Sequence, residues 1–113
     1  MTTADAEGQW LVSLDPSTKA RFLASLSHAL TVAGRAASYE VQGDGLTRPE
    51  FLRSINEIQH RVSACLGQLL TGEGSESFER SIAGWVLDAS DAELRGHTIR
   101  AWQDAKSHVQ RAT

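Results

Sequence analysis

One stretch, residues 46–70, carries enough agreeing signals to determine the fold class of this 113-residue chain. Its apolar residues recur in alternating threes and fours, the spacing that places side chains on one face of an α-helix. Such a wide face can contact two neighbouring helices, so we predict that this stretch forms the central helix of a small bundle. The inward face comprises Phe51, Ile55, Ile58, Val62, Cys65, Leu66 and Leu69, widened on one side by Leu52 and Leu70.

Both ends of this helix are marked by local signals. Thr47 and Glu50 have the T-x-x-E spacing of a capping box, in which each side chain accepts a hydrogen bond from the other residue's backbone N–H. Pro49 falls in the first turn, where its missing N–H has no helical acceptor to lose. Gly72 follows the last leucines and can adopt the left-handed conformation that ends many helices. The signals therefore predict a helix that begins beside Thr47 and ends just before Gly72.

Cap signals and apolar spacing predict three further helices. Asp15 and Pro16 are typical of a helix start, and this first helix is predicted to run to about residue 40. Ser75 begins a shorter helix that runs to about residue 89. Ser90 and Glu93 form a second capping box, after which the last helix covers residues 91 to about 110.

Each of these three helices has an apolar stripe at helical spacing, which is expected to face inward. Leu87 falls outside the stripe of its helix and faces the other way, where it is either an exposed apolar residue or part of a contact. The inward residues are Phe22, Leu26, Ala29, Leu30, Ala33 and Ala37 of the first helix, Phe78, Ile82, Trp85, Val86 and Ala89 of the third, and Leu94, Thr98, Ala101, Trp102, Ala105 and Val109 of the last.

The predicted fold is all-α: a small, irregular, antiparallel four-helix bundle with an N-terminal arm. Short linkers at residues 41–45 and 71–76 favour antiparallel neighbours. Residues 15–113 form one domain, and residues 1–14 are an arm that is partly disordered because its first residues are small, polar and acidic. Trp10 begins a short apolar patch in the arm. It either docks onto the same bundle or inserts into a partner or a second subunit.

Composition and charge restrict the environment and the partners. Cys65 is the single cysteine, so an intrachain disulfide is excluded, and its place on the apolar face predicts a buried, reduced thiol. No apolar run approaches the roughly 20 residues of a membrane span, and residues 1–10 lack the basic start of a signal peptide. We therefore expect a cytoplasmic protein without membrane contact.

The net charge of −3 argues against binding nucleic acid through the whole surface. The last twenty residues are nevertheless basic, with Arg95, Arg100, Lys106 and Arg111 against a single acid, Asp104. Arg95 and Arg100 lie roughly 140° apart on a helical wheel, so these cations do not form one nucleic-acid-binding face.

Motifs for catalysis, cofactors and metals are missing from the sequence. It contains no C-x-x-C, no H-E-x-x-H and no glycine-rich phosphate loop. Glu57 and His60 have E-x-x-H spacing, but both are predicted on the outward face of the central helix, and di-iron bundles need this motif twice, facing inward. We predict no cofactor and no metal site, and a non-enzymatic role is favoured.

The first functional hypothesis is a protein-interaction or regulatory module whose partner is another protein or a second copy of itself, as a homodimer. A purely solvated helix face would use residues with better helix propensity than Asn56. The plain alternative is such a solvated face, in which Glu57 and Arg61 form a favourable i, i+4 ion pair. The predicted contact residues are Trp10, Arg53, Asn56, Glu57, His60 and Arg61.

The alternative hypothesis is a site for a small anion or carboxylate, or a minor enzymatic site. A second stripe on the first helix carries His28, Arg35 and Tyr39, which have the donors that such a ligand requires. His60 would join them if the polar faces of the first two helices converged on a pocket. A contact surface requires the same faces to be flat and exposed.

Overall fold

The computed structural model describes residues 2–37 and 48–111, which contain five α-helices and no β-strand. The all-helical class is confirmed. The number of helices differs from the four expected, because most of the predicted arm is itself helical. Thr47 and Tyr39 lie outside the described residues. The helices are α1 (Thr3–Ser13), α2 (Pro16–Ala37), α3 (Arg48–Leu70), α4 (Glu76–Leu87) and α5 (Ala92–Arg111).

Helix α2 packs mainly against α3 and α5, and α3 also contacts α4 and α5. The α2–α3 pair is antiparallel and close, since a Cβ added at Gly34 would stand 3.2 Å from Cγ2 of Ile55. Nearer the other end of the pair, the Gln59 side chain donates to Oγ of Ser27 over 2.8 Å. This hydrogen bond is a polar contact between the two helices at the border of the core.

Most of the predicted inward faces are confirmed. All six inward positions of α5 are buried, and so are the first five inward residues of α3. Phe22, Leu26 and Leu30 of α2 are buried, together with the neighbouring Leu23. Leu70 contradicts the expectation, because 71% of its surface is exposed. It lies about 100° from the centre of the apolar stripe and in the last turn of α3.

Helix α1 was not expected, although residues 2–5 carry a start signal. Thr2 and Asp5 form a capping box, with backbone-to-side-chain distances of 3.1 and 3.2 Å. Ala4 and Leu11 are buried, and a Cβ added at Gly8 would stand only 3.4 Å from Cα of Arg80. Close packing against α4 offsets the roughly 1 kcal/mol that glycine costs inside a helix. The small residues that suggested disorder, such as Ala4 and Gly8, instead allow α1 to pack closely against α4.

The presence of α1 gives α4 a second buried face, opposite its apolar stripe. Leu87 was expected on that opposite side, either exposed or part of a contact, and it is buried. Ala83 is buried too and lies four residues earlier, on the side of α4 that Gly8 of α1 approaches. Helix α4 therefore buries two faces, one against the bundle and one against α1.

The predicted helix ends are largely confirmed. Asp15 accepts from the N–H of Thr18 over 3.1 Å, and Ser75 caps α4. Gly72 has φ of 82°, in the left-handed region, and ends α3. The cap of α5 was predicted one residue early, because Asp91 rather than Ser90 accepts from the N–H of Leu94, over 2.9 Å. Aspartate is as good a cap as serine, so adjacent candidates are not separated by propensity.

Candidate functional site

An open groove of about 820 Å³ runs between α2 and α5. Its inner walls consist of small side chains at intervals of four residues: Ser25, Ala29 and Ala33 on α2, and Ala101 and Ala105 on α5. Residues four apart lie above one another on a helix, so each wall is a continuous strip. Because the strips are small, the two helices leave a concave channel instead of a filled seam.

The rim of this groove is basic, whereas the chain as a whole is acidic. The lining residues include two arginines and three histidines but only one acid, Asp104. Val32 stands among them as an apolar side chain that is 49% exposed. On a protein with a net charge of −3, this local reversal of charge distinguishes the groove from the rest of the surface. The basic lining residues are His28, His97, Arg100, His108 and Arg111.

The three histidines of the groove do not form a metal site. Within residues 2–37 and 48–111, no three His, Cys, Asp or Glu side chains come close enough together to hold a metal ion. The ring of His97 instead packs edge-on against Phe51 of α3, with 5.5 Å between the ring centroids. The groove therefore offers charge and hydrogen-bond donors along its length rather than at one point.

The residues of the predicted anion site are only partly brought together. His28 lines the groove and is exposed, whereas Arg35 is exposed on α2 but is not a lining residue. His60 lies on α3, outside the groove, and Tyr39 is outside the described residues. The polar side of α2 thus meets the basic side of α5, and it does not meet the polar face of α3.

Four of the predicted contact residues, Arg53, Asn56, Glu57 and His60, are exposed on the outward face of α3. Their role in a contact stays a prediction. Arg61 differs, because its guanidinium lies 4.3 Å from the centre of the Trp85 ring of α4 and 2.9 Å from Oε1 of Glu57. The i, i+4 pair is confirmed, and Arg61 also connects α3 to α4 through a cation–π contact.

Trp10, the predicted anchor of the arm, is half-buried against its own chain. Its ring centroid lies 5.0 Å from that of Phe22 and 6.4 Å from that of Trp102, both edge-on. Nζ of Lys106 stands 4.6 Å from the same ring and bonds the carboxylate of Glu7 over 2.9 and 3.0 Å. Of the two readings of the arm, these contacts favour docking within the chain.

A buried ion pair joins α2 to α4 and was not anticipated. Nζ of Lys19 lies 2.7 Å from Oε1 of Glu79, and both side chains are almost fully buried. The sequence did hold a signal for it. Lys19 precedes Phe22 and Leu23 by three and four residues, and Glu79 stands in the same relation to Ile82 and Ala83. Each charge therefore continues an apolar stripe by one turn. Two opposite charges at such positions are expected to pair, because a buried charge without a partner is strongly destabilising.

Cys65 is buried beside this pair, as its place on the apolar face predicted. Burial, and secondarily the negative charge of Glu79, raises the pKa of the thiol from its ordinary 9.0 to about 11, while Lys19 opposes the shift. Because only the thiolate is a nucleophile, this environment makes Cys65 inert.

We expect Cys65 in the folded protein to react with a thiol-specific disulfide reagent at least about 100-fold more slowly than in guanidinium, since a two-unit rise in pKa removes about 99% of the thiolate. The rate of this reaction is measured by absorbance at about pH 8.

The folded state also holds the thiol proton of Cys65 more tightly than the unfolded state does. Its contribution to stability is therefore complete below about pH 9 and is lost as the pH rises through about 11. Equal rates in the folded and unfolded protein would contradict the burial of the thiol.

No known protein family, curated protein or solved structure matched this sequence. In the part of the chain that the structure describes, no helix combines the length and the apolar character needed to cross a membrane.

Proposed function

We propose that this protein is a cytoplasmic, non-catalytic interaction module that binds a segment of another protein in the α2–α5 groove. The observation that carries the proposal is the combination of small walls, a basic rim and an exposed Val32 in one open channel. Grooves of this kind receive the apolar face of a helix, with charged residues at the margins. The face of α3 predicted from the sequence is more polar and contributes no apolar anchor to such a contact.

The dimensions of the groove support an extended occupant. Its lining runs from Ala24 to Ala36 on α2 and from His97 to Arg111 on α5. At 1.5 Å per residue these spans are about 18 and 21 Å long. A segment of that length makes contacts over several turns, which suits a protein partner.

The second candidate is a site for a small anion or carboxylate in the same groove. It is favoured by one observation, that His28 and the two arginines of α5 line a common channel. A small ligand, however, is normally enclosed and held by converging groups. Arg100 and Arg111 are about three turns apart, or about 16 Å along α5, so they do not converge. The interaction module is the better supported function.

Site-specific photo-crosslinking tests the proposal in cells of the source organism. A benzophenone amino acid replaces Val32, and in the control chain it replaces Leu70, the other large apolar residue with high exposure among those that the structure describes. We expect the probe at position 32 to yield a discrete protein adduct, identified by mass spectrometry, and the probe at position 70 to yield none. An adduct formed only from position 70 would place the interaction outside the groove, and the absence of adducts from both would oppose an interaction module.

A further inference from the structure

We infer that the occupant of the groove is an acidic amphipathic helix of about three to four turns, with carboxylates near its two ends, from a different protein. The inference rests on the proposed function and names the chemistry of the partner. Its first support is shape. Both inner walls are made of Ser or Ala at intervals of four residues, so the ridge of a third helix can enter between α2 and α5.

The second support is the order of charges along α5. His97, Arg100, Asp104, His108 and Arg111 follow one another at intervals of three and four residues and form one stripe beside the groove. Among the charged residues of this stripe, Asp104 stands between Arg100 and Arg111. On the opposite rim, α2 contributes His28 and no acid. A complementary helix therefore carries Glu or Asp about three turns apart and a neutral or basic residue between them.

The same charges argue against a second copy of this chain as the occupant. A two-fold contact presents the same patch from both molecules. Groove-to-groove pairing would place Arg100 and Arg111 of one copy against the same residues of the other, and like charges across a contact are unfavourable. The exposed Val32 is then available to the apolar face of a different protein.

A peptide titration of the full-length, ¹⁵N-labelled protein tests the inference. The probe is a capped helical peptide of about 14 residues with leucine and alanine on one face and two glutamates about three turns apart. A control peptide has lysine in place of both glutamates. In buffer with about 50 mM salt, where surface charges are weakly screened, the acidic peptide should shift the amide signals of the groove residues and the lysine peptide should not.

Matched protein variants locate the contact. Arg100→Glu combined with Arg111→Glu should weaken binding of the acidic peptide at least about tenfold and improve binding of the lysine peptide. The control, Arg48→Glu combined with Arg53→Glu, makes the same change of charge at exposed positions of α3 outside the groove and should alter affinity less than about twofold. Circular dichroism of each variant verifies the fold.

Several results would overturn the inference. They are equal binding of both peptides, equal effects of the two double variants, shifts confined to α3, and a dimer in sedimentation that protects the groove signals. Groove shifts caused by succinate but not by the acidic peptide would favour the small-anion site instead. If the probe at position 32 captures a protein while the acidic peptide fails to bind, the interaction module stands and the acidic helix is wrong.

Discussion

Glu79→Ala is expected to lower the free energy of unfolding by about 3–5 kcal/mol, because it leaves the buried ammonium of Lys19 without its partner. The two side chains retain 11% and 4% of their exposure, so water does not replace the lost carboxylate at a distance of 2.7 Å. The measurement is urea denaturation near neutral pH, with the midpoint and slope compared with the parent protein.

Two further variants distinguish the effect of losing one buried charge from the effect of losing the whole ion pair. Lys19→Met combined with Glu79→Leu removes both charges and keeps the volume, so its stability should stay within about 1 kcal/mol of the parent or exceed it. Glu57→Ala breaks the exposed pair with Arg61 and should cost less than about 0.5 kcal/mol. If Glu79→Ala were as mild as Glu57→Ala, the Lys19–Glu79 pair would be solvated in solution. A large loss in the double variant would mean that the pair stabilises the fold beyond its own desolvation.

The predictions that depend on local sequence were the most successful. Caps and apolar spacing act within a few residues, so they identified the start of α2 at Asp15 and every inward residue of α5. Where neighbouring residues have similar propensity, as at Ser90 and Asp91, the local signal fixes the helix but leaves the cap ambiguous by one residue.

The predictions that depend on which helices meet were less successful. The sequence left Leu87 of α4 as either exposed or part of a contact, because α1, which packs against α4, was not recognised as a helix. The Lys19–Glu79 contact joins residues sixty positions apart, and no periodicity within one helix reports such a pairing. The stripe analysis identified the core positions but did not pair the two charges.

The candidate site was also predictable in its local residues but not in the pairing of helices that forms it. His28 belonged to a predicted polar stripe, and the basic character of the last helix was evident from its composition. The groove, however, exists only because α2 packs beside α5, and that pairing is a property of the whole chain. Of the four late cations, Arg95 donates to the carbonyl of Ala89 and Lys106 bonds Glu7, while Arg100 and Arg111 line the groove. Only the folded arrangement separates the cations that bond other segments of the chain from those that line the groove.

Trp102→Ala is expected to have an effect as large as that of Glu79→Ala, about 3–5 kcal/mol, because it empties the centre of the aromatic cluster. Trp102 is 1% exposed, and its ring centroid lies 4.8 Å from that of Phe22 in an edge-on contact. Trp102→Phe should cost much less. Nε1 of Trp102 is buried without a hydrogen-bond partner among the described residues, and removal of an unpaired N–H offsets part of the lost volume.

Urea denaturation also decides whether Trp10 contributes to the stability of the fold. Its edge-on contacts with Phe22 and Trp102 and its position under Lys106 predict that Trp10→Ala lowers the free energy of unfolding by about 2 kcal/mol. Trp85→Ala is the matched control for the loss of a half-buried tryptophan. Trp85 packs against Phe78 and Arg61, outside the aromatic cluster of Trp102. A double variant of Trp10 and Trp102 should show coupling, since residues in contact are not additive, whereas Trp85 and Trp102 should be additive. If Trp10→Ala instead leaves the urea midpoint unchanged, α1 does not hold the core in solution, and the tryptophan is available to a partner as the sequence alone allowed.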